Sequence, residues 1–154
     1  MHIQKLNKEH IPELLEIQEN VDIKFFNKRN LDNFKNLFDN GFCVGVFKNK
    51  ELVGYSRVLF DLPDKNKKIT DYYCRFKTAT FNGSVIKPEY RGLNLQYEMH
   101  QYSLKNIQDK KIILSLVHPD NINSKRNLEK SGFKEIDKIF VYGEKERLLM
   151  EKKL

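Results

Sequence analysis

Two stretches of the chain carry residue types whose spacing can do chemistry. In "VIKPEYRGLNLQYEMHQ", residues 85–101, Lys87 and Arg91 flank a turn of Pro and Gly that runs straight into a helix-like segment. The first amides of a helix have no intrahelical acceptor and lie at the positive end of its dipole. The N–H groups near Leu93, Asn94, Leu95 and Gln96, with Lys87 and Arg91 beside them, therefore form a predicted phosphate site. In "VHPDNINSKRNLEKSGF", residues 117–133, a second apolar segment ends in another helix start, with Lys125, Arg126 and Lys130 as further cations. His118 follows that segment directly. An imidazole with a pKa near ~6.5 suits proton removal at neutral pH, which makes His118 the first candidate for a general base, although a His before a Pro can simply end a strand. Glu89, on the turn, and His100, on a helix face, rank below it.

Both stretches need a strand on one side and a helix on the other. "HIQKL" (2–6) alternates like a short strand, and Asn7 can cap a helix carrying Ile11, Leu14, Leu15 and Val21. Leu31, Phe34, Leu37 and Phe38 share one face of a second helix, with Gly41 placed to end it in a left-handed cap. "FCVGVFK" (42–48) and "ELVGYSRVLF" (51–60) are strand-like and separated by "NK", which predicts an antiparallel hairpin. Residues 61–71 read as a loop, and 72–87 as a strand with a bulge at Gly83. A helix from Leu93 to about Lys110 and a buried strand at 112–117 complete a parallel crossover. A helix capped by Asn123 or Ser124 and closed by Gly132 follows, and β-rich segments near 135–142 and 147–152 finish the chain. Residues 21–32 and 61–80 are the variable segments expected to shape a second pocket, and Tyr72, Tyr73, Phe76 and Phe81 are either its lining or core.

Composition bounds the partners. The chain has 154 residues, 40% of them hydrophobic and 12% aromatic, enough for one cored domain. Its 28 basic and 21 acidic residues leave a net charge of +7, which favours acidic partners. The cations are scattered, and this disfavours nucleic acid. Cys43 and Cys74 form no CxxC pair and sit in apolar segments, so both are expected to be buried, reduced thiols. The opening "MHIQKLNKEH" lacks the apolar core of a signal peptide, and no apolar run approaches the roughly 18 residues of a membrane span. A soluble, cytoplasmic protein without membrane partners is the expectation.

Val85 and the Pro88 to Gly92 turn resemble the acetyl-CoA loop of the GNAT superfamily, the acetyl-CoA-dependent N-acetyltransferases. That loop runs Gln or Arg, Gly, any residue, Gly, any residue, Gly or Ala. Asn121, Ser124, Lys130, Gly132 and Phe133 resemble the family's later Asn-x-x-Ala/Ser to Lys-x-Gly-Phe segment. The resemblance implies a single α/β (α+β) domain over residues 1–154. Its mixed sheet has roughly six to seven strands flanked by about four helices, with two parallel strands splayed near Lys87 and Val117.

Carried over, the backbone of Val85, Ile86 and Lys87 pairs with the pantetheine arm, and the amides of Arg91, Gly92, Leu93, Asn94, Leu95 and Gln96 hold the pyrophosphate. Asn121 and Ser124 contact the cofactor, a backbone N–H near Val85 serves the oxyanion, and no metal is implied. Asn94 and Gln96 depart from the loop's Gly positions. Asn tolerates positive φ best among non-glycine residues, so the loop's shape can survive. Leu128 stands where many members place a Tyr that protonates the departing thiolate, which passes that role to Ser124, His118 or solvent. The implied activity is acetyl transfer from acetyl-CoA to a small-molecule or peptide primary amine by direct attack in a ternary complex. The alternatives are a non-catalytic acyl-CoA-binding module and, third, a nucleic-acid binder. A homodimer is admitted as a partner state.

Overall fold

Runs of β-branched and aromatic residues make the strands, and amphipathic runs the helices that cover them. The computed structural model describes residues 1–154. In order the elements are β1 (His2–Lys5), α1 (Ile11–Ile17), α2 (Leu31–Asp39), β2 (Gly41–Lys48), β3 (Glu51–Leu59), α3 (Lys67–Thr70), β4 (Thr78–Ile86), α4 (Leu95–Lys105), β5 (Ile112–Val117), α5 (Ile122–Lys130), β6 (Lys134–Val141) and β7 (Lys145–Lys153). The strands form one 7-stranded sheet in the order β1-β2-β3-β4-β5-β7-β6. Every pairing is antiparallel except β4 with β5, so the sheet is mixed. No helix is long and apolar enough to cross a membrane.

The sheet's two faces bury different sets. Val44, Val46 and Val53 pack with Leu95 and Met99 of α4, while Leu52 and Tyr55 pack with Leu14 of α1 and Phe34 and Leu37 of α2. Leu52 and Val53 serve opposite faces as a pleat requires, and a bulge that leaves Val53 unpaired with β2, between the Phe47–Leu52 and Val46–Gly54 pairs, returns Tyr55 to the face of Leu52. The hairpin turn expected at Asn49 and Lys50 forms with both residues at positive φ, 50° and 68°. This is the primed geometry that matches strand twist.

The observed structure corrects several readings. No left-handed cap closes α2: the helix ends at Asn40, whose φ is −127°, and Gly41 opens β2. Its glycine has another cause: a Cβ there would stand 2.0 Å from the Val58 carbonyl oxygen. Residues 72–77 are not strand, because Asn66 caps the short α3 and Arg75–Lys77 form a 3-10 turn before β4 begins. Ile69 drives that detour, burying itself among Leu114, Ile139, Val141 and Leu149. The detour leaves Cys74, Tyr72 and Phe76 exposed, while Cys43 and Phe81 are buried. Finally, α4 stops at Lys105, short of the expected Lys110, and Asp109 turns at φ 60°.

Candidate active site

The site begins where two strands part. β4 and β5 pair only over Thr78 to Phe81 against Ile112 to Ser115; beyond that rung β4 stays with β3 and β5 with β7. The Ser115 hydroxyl donates to the Phe81 carbonyl at 3.0 Å and closes the last rung. Just past it Gly83 takes φ +105°, and the β3 register slips between Ser56 and Val58, which is the expected bulge. A Cβ on Gly83 would lie 2.8 Å from the Phe26 ring. Downstream, the Lys87 N–H bonds the Val53 carbonyl at 2.9 Å. In an antiparallel ladder N–H groups alternate sides, so Val85 also donates toward β3 and the amides of Ser84 and Ile86 face the gap.

The helix that follows starts without a cap. Asn94 sits in the left-handed region at φ 63°, and its side chain makes no capping bond. The first backbone bond of α4 runs from the Glu98 N–H to the Asn94 carbonyl, 3.1 Å, so the amides of Leu95, Gln96 and Tyr97 are left for an outside acceptor. The Asn94 side chain instead accepts from Lys130 at 3.0 Å. Gln96 donates to the Ser124 hydroxyl at 2.9 Å and accepts from Asn127 at 2.7 Å. The two residues that depart from the glycine pattern therefore tie α4 to α5. At the start of α5 the cap is Asn121, not Asn123 or Ser124: its side-chain oxygen accepts from the Ser124 N–H at 3.3 Å.

Between these elements opens a cavity of about 710 Å³. Val85, Ile86, Arg91, Gly92, Asn94, Leu95, Gln96, Asn121 and Ser124 all line it, together with Ser84, Val117, Arg126 and Lys130. Lys87 and Leu93 do not. Lys87 is spent on Glu51 at 2.8 Å, a hydrogen bond that raises its pKa, and Lys125 pairs with Glu135 at 3.1 Å. Arg91, Arg126 and Lys130 face a single lining carboxylate, Asp22. That balance, with free helix amides, suits a polyphosphate.

His118 lies elsewhere. It lines a separate depression of about 340 Å³ with Lys24, Asp120 and Arg147, and Phe25, a wall of the first cavity, stands 5.1 Å from its ring. Its Nδ1 accepts the Asp120 N–H at 3.0 Å, so a neutral ring carries its proton on Nε2. Ser124 receives the Gln96 amide and keeps its own hydroxyl proton free to donate. Leu128, in the expected Tyr place, is buried in the core.

Of the two variable segments, 21–32 contributes Val21, Asp22, Phe25 and Phe26 to the cavity, whereas nothing from 61–80 lines it. The second segment packs instead against the far strands, with Tyr73 donating to Glu151 at 2.5 Å. Asn123, expected only as a cap, and Asn127, which was not foreseen, also line the cavity. The signal for Asn127 was its place three residues after Ser124, one helical turn along the same face.

The family model described as Acetyltransferase (GNAT) family matches residues 11–133. Among solved structures, that of smu.2055 from Streptococcus mutans superposes with a TM-score of 0.80 at 16% identity, covering 99% of each chain. A ribosomal-protein-alanine N-acetyltransferase from Brucella melitensis gives 0.76 at 14%, with 100% of each chain covered. An aminoglycoside acetyltransferase solved with coenzyme A and kanamycin gives 0.75 at 12%, covering 98% of this chain and 93% of that one. At such identities the likeness is one of fold. No curated protein matches the chain in sequence.

Proposed function

This chain belongs to the acetyltransferase (GNAT) family, and from that premise we propose that it moves the acetyl group of acetyl-CoA to a primary amine by direct attack in a ternary complex. As a member of that family it is an acyl-transferring enzyme with acetyl-CoA as donor. The observation that supports the assignment to this cavity is the splay of β4 from β5 beside an uncapped, cation-flanked helix start.

An extended pantetheine arm needs a peptide edge to bond, and the amides of Ser84 and Ile86 offer one. The pyrophosphate needs N–H donors and cations; Leu95, Gln96 and Tyr97 supply the first, Arg91, Arg126 and Lys130 the second. Transfer forms a C–N bond and breaks a C–S bond. The thioester oxygen gains charge as the amine nitrogen adds, and a gap-facing amide of β4, that of Ser84 or Ile86 next to Val85, stabilises it. The sulfur leaves with the bonding pair, and the Ser124 hydroxyl donates toward it, oriented by the Gln96 amide. The attacking amine, with a pKa near ~10 in water, must first lose a proton. His118 can take it only after its Nδ1 lets go of the Asp120 N–H.

The assay is thiol release from acetyl-CoA in the presence of a panel of primary amines, with acetyl-CoA stabilisation followed in a thermal melt. Stabilisation together with amine-dependent thiol release supports the reading. Stabilisation without release on any amine supports a non-catalytic acyl-CoA module, and no stabilisation at millimolar acetyl-CoA removes both.

A further inference from the structure

Three arginines meet where β4 leaves β5, and none of them enters an ion pair with a carboxylate. Arg57, on β3, is only 3% exposed; its Nη1 reaches the Asn82 carbonyl at a long 3.4 Å, and its Nε is buried with no partner. Arg29 comes from the loop before α2, donates to the Asn82 side chain at 3.1 Å, and stacks 5.7 Å from the Phe26 ring that lines the acyl-carrier cavity. Arg147, 5% exposed, lies over the Tyr142 ring at 5.9 Å and lines the depression that holds His118. Two residues before Arg57, the buried Tyr55 hydroxyl is also without a partner.

A buried guanidinium is costly to desolvate, and a second one beside it adds repulsion. Both effects act on Arg57: burial first, then Arg29, push its pKa down to about 10. Holding Asn82 does not explain the pair, because a neutral donor would satisfy that carbonyl and amide without the charge. A buried cation held only by the Phe34 ring face and a long bond to the Asn82 carbonyl, with a second guanidinium on the same asparagine, instead describes a receptor for an oxyanion.

Building on the acetyltransferase reading, we propose that the acceptor amine carries an oxyanion, a carboxylate or a phosphate, bound by Arg57 and Arg29 at Asn82 so that its amino group lies in the gap between β4 and β5. Arg147 extends the positive field on the approach from the His118 side.

Matched acceptors test this: 4-aminobutyrate against its methyl ester, and phosphoethanolamine against ethanolamine, each with acetyl-CoA saturating. The charged member of at least one pair is expected to show a kcat/KM about tenfold or more above its neutral partner, and which pair does so separates carboxylate from phosphate. Arg29→Gln and Arg57→Lys should erase that ratio while leaving the KM for acetyl-CoA unchanged. Equal use of neutral and charged members, or variants that slow both alike, overturns the proposal. A second readout needs no turnover. Without ligand, Arg29→Gln should raise the Tm, since it relieves uncompensated charge, and should abolish the Tm increase given by 4-aminobutyrate or phosphoethanolamine alone; a lowered Tm and no ligand response in the unmodified protein would mark the arginines as structural. Failure to bind acetyl-CoA would refute the underlying acetyltransferase reading instead.

Discussion

At the level of single residues, the site turns on where protons and lone pairs are already committed. Ser124 has its oxygen engaged and its hydrogen free, so Ser124→Ala is expected to lower kcat by about tenfold with little change in KM for acetyl-CoA, measured by thiol release at saturating acceptor. His100 offers a pH test. It is buried against Phe81 with an unpartnered Nδ1, and burial pulls its pKa down to about 4 from 6.5. The unfolded chain binds this proton below ~6.5 and the folded chain only below ~4, so the contribution is full above the first value and is lost as pH falls between them. The loss is on the order of 3 kcal/mol, and His100→Phe should remove that limb from a plot of urea-unfolding free energy against pH. The sequence showed His100 only as a helix residue, because its burial depends on Phe81, which arrives from β4. His118 was legible as a titratable group after a strand, yet its distance from the cavity depends on Phe25, nearly a hundred residues earlier in the chain.

Among the elements, close backbone approach matters as much as side-chain packing. Gly41→Ala would drive a methyl group into the Val58 carbonyl and prise β2 from β3, a cost of about 3 kcal/mol in chemical denaturation. Gly83→Ala is predicted to do local damage of another kind. Its positive φ costs about 1 kcal/mol, and the added carbon displaces Phe26 from the cavity wall, so acetyl-CoA affinity should fall along with Tm. Isothermal titration reads the first and a thermal melt the second. The strand-helix-strand core of this region was legible because periodicity, turn residues and order agreed from Val85 to Phe133. Residues 72–77 were not legible: their aromatic composition favours a strand, and only the distant pocket filled by Ile69 pulls them out of the sheet. The cross-links of Asn94 and Gln96 to α5 were likewise hidden, since a pattern of expected glycines says nothing of what a replacement will touch.

For the molecule as a whole, charge and sheet shape decide how it meets its partners. With Arg91, Arg126 and Lys130 around the cavity, acetyl-CoA binding should weaken several-fold as salt rises from about 0.05 to 0.5 M, a trend that titration at fixed pH will show, whereas binding carried by apolar contacts alone would not weaken. The overall plan was readable because one set of strands and helices recurred in the expected order, while the occupant of the acceptor side was not, being written in Arg29, Arg57 and Arg147 from three separate segments. The splayed pair has a further consequence. A strand that loses its neighbour presents bare peptide groups, and such edges recruit strands from other proteins. The sheet's outer margins are blunted, β1 by its four residues and β6 by Lys134, Glu135, Asp137 and Lys138. The bare edge of Gly83 to Ile86 is set inside the sheet, beside the Phe25–Phe26 wall, out of reach of a folded polypeptide edge; the opening we assign to the donor thereby also guards the protein against aggregation.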